Sequence, residues 1–107
     1  MKEIVAIIRP DQTQATRMFL HESGIHSYAT LRVLGRSRQG GLRFQQRWFR
    51  KSADIRFLPK RMFWIAVEDD RLSFVVNELI RINQTGRIGD GKLFVLPIEK
   101  AVSIQGD

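Results

Sequence analysis

There is no cysteine among the 107 residues, which excludes a disulfide framework and a thiolate metal site. Histidine occurs only as His21 and His26. Neither falls in a His-Glu-x-x-His spacing or a carboxylate triad, so a metalloenzyme is not expected. His21 stands where a helix should end and reads as a solvent-facing partner of the helix dipole. No serine sits in a nucleophile elbow. Glu68, Asp69 and Asp70 are adjacent at a helix start, where acids belong for capping rather than for a paired-carboxylate reaction. No enzyme is read from this chain. No apolar run is long enough to span a membrane. No charged-then-apolar leader opens it, since Lys2 and Glu3 lead straight into a strand pattern, so a cytoplasmic protein is expected.

What is present is a chain of one-domain length, 43 % hydrophobic, with a net charge of +7. The charge is concentrated. Residues 36–57 hold seven Lys or Arg against one acid, Asp54, so +6 of the +7 lies there. The remainder is nearly neutral.

Ile4 to Ile8 is a short β-branched run and reads as a strand with both faces apolar, which calls for cover on both sides. Pro10 ends it, Asp11 is the expected cap of a first helix, and Ala15, Met18 and Phe19 with the stem of Glu22 form its apolar stripe. Gly24 stops that helix. Ile25 to Leu34 reads as a second strand and Met62 to Val67 as a third. Asp70 is the expected cap of a second helix, whose stripe is Leu72, Val75, Val76, Leu79 and Ile80. Leu93 to Leu96 makes a fourth strand closed by Pro97, and Ala101 to Ile104 offers a short edge strand. The order βαββαβ is ferredoxin-like, an α+β fold with a four-stranded antiparallel sheet and two helices on one face. The helices can cover only one face of a sheet apolar on both, so a homo-oligomer is expected from patterning alone.

Two stretches stand outside this regularity. Residues 36–57 break the periodicity, with Gly40-Gly41 favouring a flexible tip and Arg interleaved with Phe44, Trp48 and Phe49. A connection of this length is usually functional or disordered; a self-contained hairpin is the bland alternative. Arg and aromatics together suit nucleic acid, and the βαββαβ order is shared with RNA-recognition modules. The third strand, however, lacks the glycine their pattern requires. The same residue types are enriched at protein interfaces, so Arg47, Trp48, Phe49 and Arg50 are candidate docking residues.

The second stretch is Thr85-Gly86-Arg87-Ile88-Gly89-Asp90-Gly91-Lys92, with three of the eight glycines. Successive backbone N–H groups in a glycine-rich turn can form an anion-binding concavity, and Lys92 adds a point charge suited to phosphate. Neither the Walker nor the dinucleotide-binding pattern is present. A phosphate-binding loop and a plain helix-to-strand connection both fit.

This stretch resembles the nucleotide-binding B-loop of the PII signalling proteins. Residues 3–10 (Glu-Ile-Val-Ala-Ile-Ile-Arg-Pro) resemble that family's first strand. Gly35 with Arg38 and Gln39 resembles the start of its long T-loop, and Phe57-Leu58-Pro59-Lys60 the T-loop's end. The likeness spans roughly residues 2–104. It implies one PII-like domain over 1–107, with a T-loop at 36–57, a B-loop at 85–92 and a short C-terminal segment at 98–107. It also implies a trimer with nucleotide sites in the clefts between subunits. Gly35, Arg38, Arg87, Gly89, Asp90, Gly91 and Lys92 match nucleotide-binding positions for ATP or ADP. Gln39 and Lys60 match the pair that holds 2-oxoglutarate with Mg-ATP. That chemistry is sensible: an ammonium pairs a carboxylate, and an amide oxygen can ligate Mg²⁺. The implied function is a regulator that engages a transporter, enzyme or regulator of nitrogen metabolism through the T-loop.

Three departures qualify the likeness. Tyr28, the only tyrosine, lies in a strand, so uridylylation at the T-loop is excluded, and that loop is somewhat longer than usual. Ser103 and Gln105 stand where the family places two phosphate-binding arginines. Ala29 replaces an adenine-side threonine, and Trp64 takes a usually polar position. Two alternatives to the main reading remain: a regulator of this fold without 2-oxoglutarate sensing, in carbon or transport metabolism, and an RNA-binding module.

Overall fold

A computed structural model describes residues 1–36 and 57–106. Strand β1 (Lys2–Ile8) leads through a 3-10 turn (Pro10–Gln12) into helix α1 (Thr13–Glu22). Strands β2 (Tyr28–Gly35) and β3 (Leu58–Val67) flank the long connection. A second 3-10 turn (Asp69–Arg71) opens helix α2 (Leu72–Asn83), and β4 (Gly91–Pro97) closes the sheet. The strand order is β2-β3-β1-β4, with every neighbouring pair antiparallel. This is the expected ferredoxin-like arrangement.

The pleat sorts the strand residues. Ile4, Ala6 and Ile8 of β1 and Phe63, Ile65 and Val67 of β3 point to one face and are buried with Phe19 and Leu20 of α1 and Val75 and Leu79 of α2. Each fully buried aliphatic or aromatic side chain contributes roughly 1.5–3 kcal/mol of transfer free energy. The opposite face carries Val5, Ile7 and Met62, half-buried, and Leu31, Trp64, Phe94 and Leu96, each at least 41 % exposed. Val5 pairs with both Trp64 and Phe94, and Met62 with both Leu31 and Ile7, so these side chains form one contiguous apolar surface. Nothing in the described chain covers it.

Several local expectations are corrected. Asp11 and Asp70 do not cap helices through their side chains. Each helix is instead preceded by a 3-10 turn whose backbone bonds, Gln12 N–H to Arg9 O and Arg71 N–H to Glu68 O, start the spiral. The acids sit in that first turn, where they still favour the helix dipole. The buried stripe of α1 is Thr16, Phe19 and Leu20, while Ala15, Met18 and Glu22 are exposed. Thr16 can be buried because its hydroxyl donates to the Gln12 carbonyl at 2.8 Å. In α2 the stripe holds at Val75 and Leu79 and continues to Asn83, but Ile80 is 45 % exposed. No strand forms over Ala101 to Ile104; a turn closed by Gly106 N–H to Ser103 O occupies its end. Gly24 stops α1 as expected, with φ +73° and the Ile25 N–H returning to Leu20 O at 2.8 Å. His21 is exposed at that end, edge-on to His26 and Tyr28.

Candidate ligand-binding site at the loop between α2 and β4

The loop that follows Asn83 is held by one carboxylate. Asp90 accepts from the Thr85 backbone N–H at 2.7 Å through Oδ2, and from the Thr85 hydroxyl at 2.5 Å through Oδ1. Both ends of the loop are thereby tied together. The same Oδ1 receives Arg9 Nε at 3.0 Å, and the second arm of that guanidinium donates to the Ile88 carbonyl at 2.7 Å. Arg9 and Asp90 side chains are only 25 % and 22 % exposed, so this ion pair is partly shielded from water and from salt. The hydroxyl and backbone bonds from Thr85, then Arg9, hold the Asp90 carboxyl well below the usual carboxylate range.

Lys60 closes the arrangement from β3. It is 7 % exposed, and its Nζ donates to the Gly89 carbonyl at 3.0 Å. Burial, and then the neighbouring Arg9, lower its pKa from the ordinary lysine value, partly opposed by Asp90. Gly35 lies beside the Lys60 stem: a Cβ there would stand 3.2 Å from Lys60 Cγ. Gly91 has φ +123°, and a Cβ on it would lie 2.0 Å from the Ile7 carbonyl oxygen. The chain can pass this close to β1 only with glycine at that place. Gly89 also takes positive φ, at +96°.

Two cations remain available. Arg87 is exposed, its N–H and Nε turned toward the Thr85 hydroxyl oxygen at 3.2 and 3.4 Å. Lys92 is exposed on β4 opposite Ile7 and forms no ion pair among the described residues. The structure thus brings Gly35, Lys60, Arg87, Gly89, Asp90, Gly91 and Lys92 to one end of the sheet. Arg38 and Gln39, and the docking candidates Arg47, Trp48, Phe49 and Arg50, lie outside the described residues. Arg9 and Thr85 were not singled out from sequence as site residues. Only the pairing of Ile8 with Gly91 sets Arg9 across from Asp90, and a single sequence does not display that pairing.

Further down the same sheet, Ala29 lies directly across from Trp64, and the Trp64 indole N–H donates to the Glu3 carboxylate. The two replacements noted from sequence are therefore neighbours and line one cavity of about 530 Å³. Among the described residues no group of three or more His, Asp or Glu side chains could hold a metal ion, and no helix is long and apolar enough to cross a membrane.

The family model described as "Nitrogen regulatory protein P-II" matches residues 1–107. Among curated proteins, the chain is 40 % identical to "Nitrogen fixation nifHD region GlnB-like protein 2" of Methanothermobacter marburgensis, over 98 % of this chain and 93 % of that one. It is 38 % identical to the protein of the same description from Methanococcus maripaludis, with 98 % and 93 % covered. It is also 38 % identical to "Nitrogen regulatory protein P-II 2" of Methanothermobacter thermautotrophicus, covering 98 % and 90 %. The glycine-rich loop that the sequence singled out, pinned by Asp90 and stapled to β1 and β3, is thus carried by a chain that belongs to the P-II family of nitrogen regulatory proteins.

Proposed function

We propose that this protein senses adenine nucleotide at the 85–92 loop and reports it to a protein target through residues 36–57. P-II proteins are regulators rather than enzymes, and trimers. In this reading the apolar sheet face is buried between three copies, and the loop lies at each cleft between them. The observation that carries the proposal is the division of labour around Asp90. Its charge is consumed by Arg9 and Thr85, and the Gly89 carbonyl by Lys60, which leaves Arg87 and Lys92 exposed beside the glycine turn for a phosphate.

Mg²⁺ and 2-oxoglutarate are the further ligands of this reading, with Lys60 offering a cation to a carboxylate and Gln39 an oxygen to the metal. A second reading is a regulator of this fold without 2-oxoglutarate sensing, in which the bond of Lys60 to the Gly89 carbonyl serves only to hold the loop. The target is a transporter, enzyme or regulator of nitrogen metabolism met in the cytoplasm. The nitrogen-fixation descriptions of the archaeal relatives favour one connected with nitrogen fixation.

Titration calorimetry with ATP and ADP, with and without Mg²⁺ and 2-oxoglutarate, tests this. Ser103 and Gln105 supply no positive charge, so binding should be measurable but weakened by about one to three decades relative to a site with two further charge-assisted bonds. Lys92→Ala should abolish it. Tight binding that survives Lys92→Ala places the ligand elsewhere. No binding at millimolar nucleotide would show a docking protein that has lost its sensor.

A further inference from the structure

Two arginines stand opposite each other at the edge of the sheet. Arg32 of β2 is the register partner of Arg61 of β3, so both side chains rise from one face at neighbouring positions. Arg61 stands two residues before the core residue Phe63, which sets that face on the helix side. Like charges directly opposite on neighbouring strands repel. Arg32 is exposed and Arg61 half-buried, and among the described residues neither has an ion pair or a side-chain hydrogen bond.

A third guanidinium joins them. His21 of α1 meets Tyr28 of β2 edge-on, ring centroids 6.3 Å apart, so that side of α1 overhangs β2. β2 runs parallel to β1, both being antiparallel to β3, and α1 returns between them. One turn back from His21 along α1 is therefore a step forward along β2, from Tyr28 toward Arg32. Arg17 occupies that turn, exposed and again without an ion pair. Asp11, on the 3-10 turn packed against β3, is exposed and pairs with none of the three.

β1 ends at Ile8, opposite Arg61, and beyond it β2 and β3 continue as a two-stranded ribbon. Next to the arginine pair, the same face of the ribbon carries Leu34 opposite Pro59. Leu34 is 69 % exposed, Phe57 just before β3 is 58 % exposed, and Pro59 is exposed as well. Guanidinium groups beside exposed apolar side chains are the composition of a protein interface. Lys60, which holds the nucleotide loop through the Gly89 carbonyl, alternates with Pro59 and Arg61 and projects from the opposite face. The ribbon face is therefore distinct from the nucleotide site, and from the apolar face assigned to contacts between copies.

We propose that the helix-side face of this ribbon is a docking surface for an acidic segment of a partner protein. Arg17, Arg32 and Arg61 take its carboxylates, and Leu34, Phe57 and Pro59 its apolar side chains. The surface begins where residues 36–57 leave the sheet, and it rests on the reading of those residues for there being a protein target. A carboxylate set between Arg32 and Arg61 relieves the repulsion that the free protein carries.

The probes are the peptide acetyl-Glu-Glu-Leu-Leu-Glu-Glu-amide and its counterpart with glutamine for glutamate. In two-dimensional ¹H–¹⁵N spectra of the full-length protein, the glutamate peptide should shift the amides of residues 31–34 and 59–62 saturably. The glutamine peptide should bind about tenfold more weakly. Arg32→Gln with Arg61→Gln should erase the preference, while the protein melts no lower than the wild type because a like-charge pair has been removed. Trp48→Ala with Phe49→Ala should leave the preference unchanged, so failure of the loop as a docking element and failure of this surface are read separately. The proposal is overturned if neither peptide produces saturable shifts, if the two bind equally, if the shifts map elsewhere, or if the double glutamine variant keeps the preference or melts lower. Inorganic phosphate or an oligouridine that matches the glutamate peptide's affinity at this face overturns it as well, in favour of a small-anion or an RNA site.

Discussion

Arg9 and Asp90 are 81 positions apart in the chain and meet at 3.0 Å, with the other arm of the guanidinium on the Ile88 carbonyl. A single side chain from the end of the central strand β1 thus fixes two points of the 85–92 loop. Arg9→Gln removes the ion pair and the forked geometry together. Amide exchange at Thr85 and Arg87 should accelerate, and nucleotide affinity at the loop should fall. Arg9→Lys should restore only part of either effect, because one ammonium cannot reach both acceptors in the same way. Unchanged exchange in Arg9→Gln would show that the Thr85 bonds hold the loop alone.

The carboxyl of Asp90 gives a pH dependence with a definite sign. Its folded pKa is depressed below the ordinary value of 3.8, chiefly by the Thr85 bonds and then by Arg9. The unfolded chain therefore takes up a proton first. The contribution is fully present above the unfolded value and is lost as pH falls below it. Asp69, depressed by the N-terminal amine and Lys2, loses its contribution in the same window. Comparing urea midpoints of the wild type and Asp90→Asn between about pH 5 and pH 2 separates the two. The wild type should lose more stability than the variant, and parallel curves would remove Asp90 from the account.

Two glycines of the loop should respond differently to alanine. Gly91→Ala drives a Cβ to 2.0 Å from the Ile7 carbonyl oxygen. Either β1 or β4 must move, at a cost of at least about 3 kcal/mol. Gly86 has φ +83° but open space around it, so Gly86→Ala should cost only about 1–2 kcal/mol of backbone strain. Equal thermal shifts for the two variants would mean that the close approach to β1 relaxes freely.

The bare sheet face predicts assembly. Leu31, Trp64, Phe94 and Leu96 are exposed in a single chain, and their burial between copies should make the trimer the smallest stable species. Phe94→Asp with Leu31→Asp should yield smaller species by light scattering. A wild-type protein that is a monodisperse monomer at micromolar concentration would refute this.

The proposed docking role of residues 36–57 is tested by the double variant Trp48→Ala, Phe49→Ala, which should lose partner binding while keeping nucleotide affinity. Retention of full partner affinity would remove these two residues from the interface.

The architecture was legible because alternation and helical periodicity report burial directly, as at Ile4, Ile65, Val75 and Leu79. The errors arose where a polar group was buried with its own partner. The apolar stripe Ala15, Met18 and Phe19 leaves Thr16 out, yet Thr16 is buried with its hydroxyl satisfied one turn back at Gln12. Asn83 was missed for the same reason. The caps failed because Asp11 and Asp70 precede α-helices by way of a 3-10 turn, which no side chain needs to start. Within the site, the loop glycines and Lys92 were visible as a local pattern. Arg9 was not, since its role depends on which strand lies beside β4.

The base of the long connection is set by β2 and β3 themselves, in register from Tyr28 opposite Ile65 to Gly35 opposite Leu58. Because those strands are sheet neighbours, whatever joins them closes on a fixed pair of ends. Lengthening such a joint is cheap, about 0.6 kcal/mol for each doubling. Residues 36–57 can therefore change in length and in charge while the sheet beneath keeps its geometry.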